Sequence, residues 1–131
     1  MRIQRSLIEE MIAHAREEAP NECCGIVTGP SGVASTLNRA TNAFASPLRY
    51  EIEPKDLLRI YGHSQERGEE FVLIYHSHTG SPAAPSQTDI NTATYPESLY
   101  VIVSLENPDE PEVRGFWIRD GEVAEEALDV V

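Results

Sequence analysis

Two histidines separated by one serine, His76-Ser77-His78, are the residues of this chain best suited to chemistry. In a strand, side chains two positions apart project from the same face, so the two imidazoles converge while Ser77 turns away. Neutral imidazole is a standard zinc ligand, and Asp89 follows in a short predicted helix from which its carboxylate can swing back to the same point. Two His and one carboxylate leave a fourth tetrahedral position for water, and a catalytic zinc lowers the pKa of such a water to about 7. Cleaving an amide then calls for a carboxylate close to the water but off the metal, to carry a proton to the leaving amine. Glu22 is a candidate by position, just ahead of an apolar stretch, while Glu9, Glu10, Glu17, Glu18 and Glu69 are alternatives on composition. Iron and manganese also accept two His and a carboxylate, so ligand type alone leaves the metal open.

The elements that must hold these groups are legible in outline. Ser6 and Glu9 have capping-box spacing, and Leu7, Ile8, Met11, Ile12 and Ala15 recur at helical intervals behind them. Pro20 ends that helix at or before Ala19. Residues 24–28 read as a short buried strand, 29–32 as a turn and 33–38 as its hairpin partner. Residues 42–48 read as loop and 49–53 as a short strand. Pro54 opens a second helix with Leu57, Leu58, Ile60 and Tyr61 on its apolar face, and Gly68 stops it. The continuous apolar run 71–75 is typical of a central strand covered on both sides, and it leads directly into His76. Residues 79–85, rich in Gly, Ser, Pro and Ala, are loop. Ser86 and Asp89 again have capping-box spacing, so a short helix starts near Gln87. Strands follow over 99–105 and 113–118, and Asp120-Gly121 turns into a last one. The order predicts an α/β fold with a mixed sheet and helices packed against it.

Bulk properties narrow the function classes. At 131 residues the chain has the length of one domain, able to bury roughly 65–70% of its unfolded surface. Ten Lys and Arg against 22 Asp and Glu give a net charge of -12, which repels a polyphosphate backbone and argues against nucleic acid. A basic protein surface is a better partner for such a chain. No stretch approaches the apolar length needed to cross a bilayer, and residues 1–19 lack the apolar core of a secretory signal. The only cysteines, Cys23 and Cys24, are adjacent, which disfavours a structural disulfide between them and fits a reducing, cytoplasmic setting.

Glu22, then His76-Ser77-His78, seven residues, Ser86, two residues and Asp89 resembles the signature of the JAMM (MPN-plus) zinc metallopeptidases. The block Pro20-Asn21-Glu22-Cys23-Cys24-Gly25 is similar to the segment in which that family carries its glutamate, and the likeness runs from the first helix to the strand around Phe116. The resemblance implies a JAB1/MPN-type fold over residues 1–131: a mixed, mostly antiparallel curved sheet flanked by helices, with cytidine deaminase-like architecture. It implies one Zn2+ on His76, His78 and Asp89, Glu22 as general acid and base, and Ser86 as a hydroxyl donor to the oxyanion. Thr79 departs from the Pro that many relatives carry after the second His, which bears on loop shape and subfamily.

The stretch Tyr75 to Pro82, with Ser86 to Asn91, looks closest to a bacterial branch that releases cysteine from the C-terminus of a ubiquitin-like (β-grasp) sulfur-carrier protein. A wider activity on other ubiquitin-like conjugates, or a scaffold without catalysis, are the rival expectations, and a homodimer is compatible with the sequence. Such a C-terminal tail is extended and suits strand addition at a sheet edge.

Each residue alone has a plainer reading. Ser86 and Asp89 make an ordinary helix cap. Cys23 and Cys24 read as small buried residues, His14 and His63 as packing or surface residues on helices, and Phe71, Tyr75, Phe116 and Trp117 as core. The tail 122–129 reads as a strand or a solvated edge.

Overall fold

The computed structural model describes all 131 residues. A two-residue strand, β1 (Arg2–Ile3), precedes helix α1 (Arg5–Glu18), strand β2 (Cys24–Gly29) and strand β3 (Thr36–Ala40). Helix α2 (Pro54–Arg67), strand β4 (Glu70–His78), helix α3 (Gln87–Thr92) and strand β5 (Leu99–Ser104) follow. Strands β6 (Glu112–Arg119), β7 (Glu122–Glu126) and β8 (Asp129–Val130) close the chain. Six strands form one sheet in the order β3-β2-β4-β5-β6-β7, and β1 pairs with β8 beside it. All neighbours in the large sheet are antiparallel except β4 and β5, so the mixed, mostly antiparallel sheet is as expected.

Alternation along the central strands divides the core between the sheet's two faces. Leu73 and Tyr75 of β4 and Val101 and Val103 of β5 face Leu7, Met11 and Ala15 of α1. Ile74, Tyr100 and Ile102 face the other way, with Cys24 and Ile26 of β2 and Ile60 of α2. Burying each such aliphatic side chain contributes about 1.5–3 kcal/mol. Gly25 is required where it stands: a Cβ there would lie 2.4 Å from the ring of Tyr75, which is fully buried. That ring crosses β2 to reach α1, where the Tyr75 hydroxyl lies 2.7 Å from His14 Nδ1.

Several boundaries differ from the sequence reading. Helix α1 starts at Arg5 with Gln4 as N-cap and no side-chain cap bond, so Ser6 and Glu9 form no capping box. The chain enters this helix from β1, which leaves Ser6 one residue inside it. The hairpin partner of β2 begins at Thr36 instead of 33, because residues 33–35 only lead out of a 3-10 turn over Pro30–Gly32, with the Val33 N–H on the Pro30 carbonyl and the Ser35 N–H and hydroxyl on the Thr28 carbonyl. The strand expected over 49–53 reduces to one bridge, Asn42 with Ile52. Gly68 ends α2 with φ 66, and Asp120 and Gly121 turn with φ 52 and 77, as read from the sequence. His14 is buried by packing and His63 is exposed. No helix is long and apolar enough to cross a membrane.

Candidate metal centre and active site

β4 ends in the histidine pair. His76 and His78 follow Ile74 on the face opposite Ser77, and all three of His76, Ser77 and His78 are buried. The loop and helix between β4 and the parallel β5 begin there, at the carboxyl end of adjacent parallel strands, where open sheets commonly place ligands. Helix α3 supplies Asp89 from its first turn. The Ser86 Oγ accepts the Asp89 N–H at 3.0 Å, and Asp89 Oδ2 accepts the Ser86 N–H at 2.9 Å. This reciprocal capping box fixes the carboxylate's direction.

Three ligand atoms then converge. His76 Nε2 lies 3.3 Å from His78 Nε2 and 3.2 Å from Asp89 Oδ2, and His78 Nε2 lies 3.0 Å from Asp89 Oδ2. Bonds of about 2.0–2.1 Å to a tetrahedral zinc ion imply ligand separations of about 3.3–3.4 Å, so this triangle fits zinc with slight relaxation. His78 Nδ1 is 2.8 Å from the Pro82 carbonyl, a bond that it makes as donor and that leaves Nε2 with its lone pair toward the centre. Tyr50 stacks on His76 with ring centroids 4.3 Å apart and planes 20° apart. Burial holds His76 below its ordinary pKa. Burial opposes charge on His78 too, but its bonds to Asp89 and Pro82 raise it. Asp89 is buried as well, yet the two imidazoles facing it and the Ser86 N–H hold its carboxyl well below the usual carboxylate range.

Glu22 reaches the same place through the β2–β4 ladder. Cys24 pairs with His76 at the end of the antiparallel ladder, and Glu22, two residues ahead of it, lies near enough for the charges of His78 and Asp89 to act on its carboxyl. Between them, Ser77 Oγ accepts the Cys23 N–H at 2.8 Å and the Ser77 N–H donates to the Cys23 carbonyl at 3.2 Å. Glu22 is 4% exposed and its Oε1 has no hydrogen-bond partner. Burial pushes its carboxyl up to about 7, with His78 pulling it down and Asp89 pushing it up. A carboxyl poised near neutral pH beside a ligand triangle is suited to taking up and releasing a proton.

The structure thus brings His76, His78, Asp89, Ser86 and Glu22 together, and of the carboxylates open on composition it places Glu22 beside the triangle. The cysteines are buried thiols. Burial pushes Cys23 up to about 11 and Cys24 higher still, so neither is a thiolate at neutral pH. The sequence reading missed Tyr50 and Asn42. Asn42 Nδ2 donates to the Glu22 carbonyl at 3.1 Å, and a lone Asn in a polar loop carries no signal of that.

A profile described as prokaryotic homologs of the JAB domain matches residues 4–119, and the chain belongs to this family. It is accordingly a hydrolase of the JAMM type. It is 40% identical over 131 residues to the CysO-cysteine peptidase of Mycobacterium tuberculosis, covering 98% of this chain and 90% of that one. It is 34% identical over 120 residues to the desampylase of Haloferax volcanii, covering 86% and 84%. A JAB1/MPN domain protein from Archaeoglobus fulgidus has the same fold, with a TM-score of 0.64 at 22% identity over 100% of this chain and 99% of that one.

Proposed function

We propose that the chain is a zinc peptidase that removes a C-terminal cysteine from a ubiquitin-like sulfur-carrier protein. The observation that carries this reading is the 40% identity to a CysO-cysteine peptidase, spread over 98% of the chain. The convergence of three ligand atoms with a buried, unpartnered carboxylate supports it. His76, His78 and Asp89 would hold the ion. When bound, zinc supplies polarisation of the scissile carbonyl and a water acidic enough to act near neutral pH.

The remaining work falls to side chains. Glu22 takes a proton from the attacking water and delivers it to the departing amine nitrogen, a role open to a buried carboxylate whose Oε1 has no other partner. The Ser86 oxygen accepts the Asp89 N–H, which leaves its hydroxyl hydrogen for the oxygen on which negative charge develops. His78, fixed by Pro82, keeps its ring in one tautomer throughout. Two free thiols in the chain suit a reducing, cytoplasmic setting.

The name desampylase, borne by a relative at 34% identity, favours a second reading in which other ubiquitin-like conjugates are cleaved. Incubating the zinc-loaded protein with a carrier–cysteine adduct and with a ubiquitin-like fusion, followed by mass spectrometry, separates the two. Loss of the cysteine mass from the adduct alone is expected. Cleavage of the fusion alone favours the second reading, and cleavage of neither with stoichiometric zinc overturns both.

A further inference from the structure

The segment between β3 and α2 folds back on itself. The Ala43 N–H donates to Glu51 O at 2.8 Å and the Glu53 N–H to Thr41 O at 2.9 Å, so the intervening loop is pinched at its neck. Asn42 stands at that neck and uses its whole side chain. Its Oδ1 accepts the N–H groups of Phe44 at 3.0 Å and Glu51 at 3.2 Å. Its Nδ2 donates to the carbonyls of Arg49 at 3.0 Å and Glu22 at 3.1 Å. Two donors and two lone pairs are the full capacity of a primary amide.

The tip of the same loop holds the other side of Glu22, whose N–H donates to the Ser46 carbonyl at 2.9 Å. Both main-chain polar groups of Glu22 are therefore fastened to one loop. Its carboxylate oxygen Oε1, by contrast, has no partner, so the side chain inherits its position from the backbone beneath it. The loop also carries Tyr50, stacked on the ligand candidate His76.

We propose that Asn42 is a positioning residue that sets Glu22 against the metal triangle and, through the loop bearing Tyr50, ties the placement of Glu22 to that of His76. The proposal rests on the reading of Glu22 as the proton carrier. A plainer role is available, because the Oδ1 contact to the N–H two residues on is an Asx-turn that would shape the loop by itself.

Asn42→Asp separates the two roles. Aspartate keeps both acceptor bonds and forms the turn as well as Asn does, but it replaces the donor facing the Glu22 and Arg49 carbonyls with an oxygen. If Asn42 acts only by shaping the turn through Oδ1, the Glu22 amide keeps its wild-type protection even though the contact to the Arg49 carbonyl is lost. If it positions Glu22, the variant frees the Glu22 backbone. Amide exchange followed by NMR on the zinc-loaded protein reads this without any substrate. The Glu22 amide is expected to exchange at least about tenfold faster, while the Cys23 amide, held by Ser77 Oγ, keeps its protection.

On the carrier–cysteine adduct, kcat is expected to fall by about 10–100-fold with KM changed less than about threefold, as for a reacting group displaced by a fraction of an ångström. Zinc stoichiometry stays at wild type. Asn42→Ala gives the same pattern, and if it fails to fold, the Asp variant carries the test alone. Ser98→Ala, which removes a bond to the Phe71 carbonyl at the far end of β5, serves as the control for general destabilisation.

Wild-type kcat and wild-type Glu22 protection in Asn42→Asp overturn the proposal. So does equal loss of protection at Glu22 and Cys23 with a kcat loss no greater than that of Ser98→Ala. Absence of cleavage by the wild-type protein counts against the proposed function, and the exchange pattern still decides the positioning.

Discussion

Replacing Glu22 with Gln in metal-stripped protein isolates the energetic consequence of burying this carboxyl. Burial, opposed by His78 and reinforced by Asp89, raises it from 4.5 to about 7. The unfolded chain releases the proton near 4.5, so between pH 4.5 and 7 the folded protein retains a proton that the unfolded chain has lost. Wild-type stability therefore falls as pH rises through that window and is level above it. At about 1.4 kcal/mol per tenfold change in proton affinity, the full effect is about 3 kcal/mol. Water at the mouth of the cleft screens the charge and reduces this to about 1–2 kcal/mol.

Glutamine has no such pH-dependent loss, whatever constant offset its amide adds. For a chain of this length the difference corresponds to about 4–7 °C in Tm. Thermal unfolding followed by circular dichroism in chelator, at intervals from pH 4 to 8, measures it. The variant's Tm relative to wild type is expected to rise by that amount across the range. A difference that is constant, or that shrinks toward pH 8, refutes the raised proton affinity of Glu22.

Three further outcomes are expected. Gly25→Ala drives a Cβ into the Tyr75 ring and costs about 3 kcal/mol in urea unfolding, and NMR spectra of the variant show the Tyr75 ring displaced from His14. Ser86→Ala removes the cap bond to Asp89, lowering stability by about 1 kcal/mol, and cuts kcat by about 10²–10³-fold with little change in KM. Chelation abolishes hydrolysis and added Zn2+ restores it, whereas in His78→Ala, which leaves two of the three ligand atoms, isothermal titration shows zinc affinity reduced by at least about 100-fold.

What the sequence disclosed follows from the range over which each signal acts. The His76–His78 pair is a property of one strand, and the Ser86–Asp89 cap of one helical turn, so local periodicity exposes both. Glu22 depends on the register between β2 and β4, which no local pattern encodes, and only the resemblance picked it out among the other glutamates. Asn42 and Tyr50 were silent for the same reason, because their contacts are made by a loop folded back over distant residues. The Ser6–Glu9 pattern misled because capping needs Ser6 at the N-cap position, and the entry from β1 puts Gln4 there, two residues earlier. β1 and β8 are too short to carry any periodicity.

The site is also divided in folding order. The ligand atoms come from residues at most thirteen positions apart, a span whose closure costs little chain entropy. The carboxylate arrives only when β2 docks on β4 across contacts such as Cys23 with Ser77, 54 positions apart. The three candidate ligands therefore lie on one short span of chain, whereas the carboxylate depends on a distant strand pairing. Opening of that pairing, the longest-range one in the six-stranded sheet, would part Glu22 from the triangle while leaving His76, His78 and Asp89 on a single span.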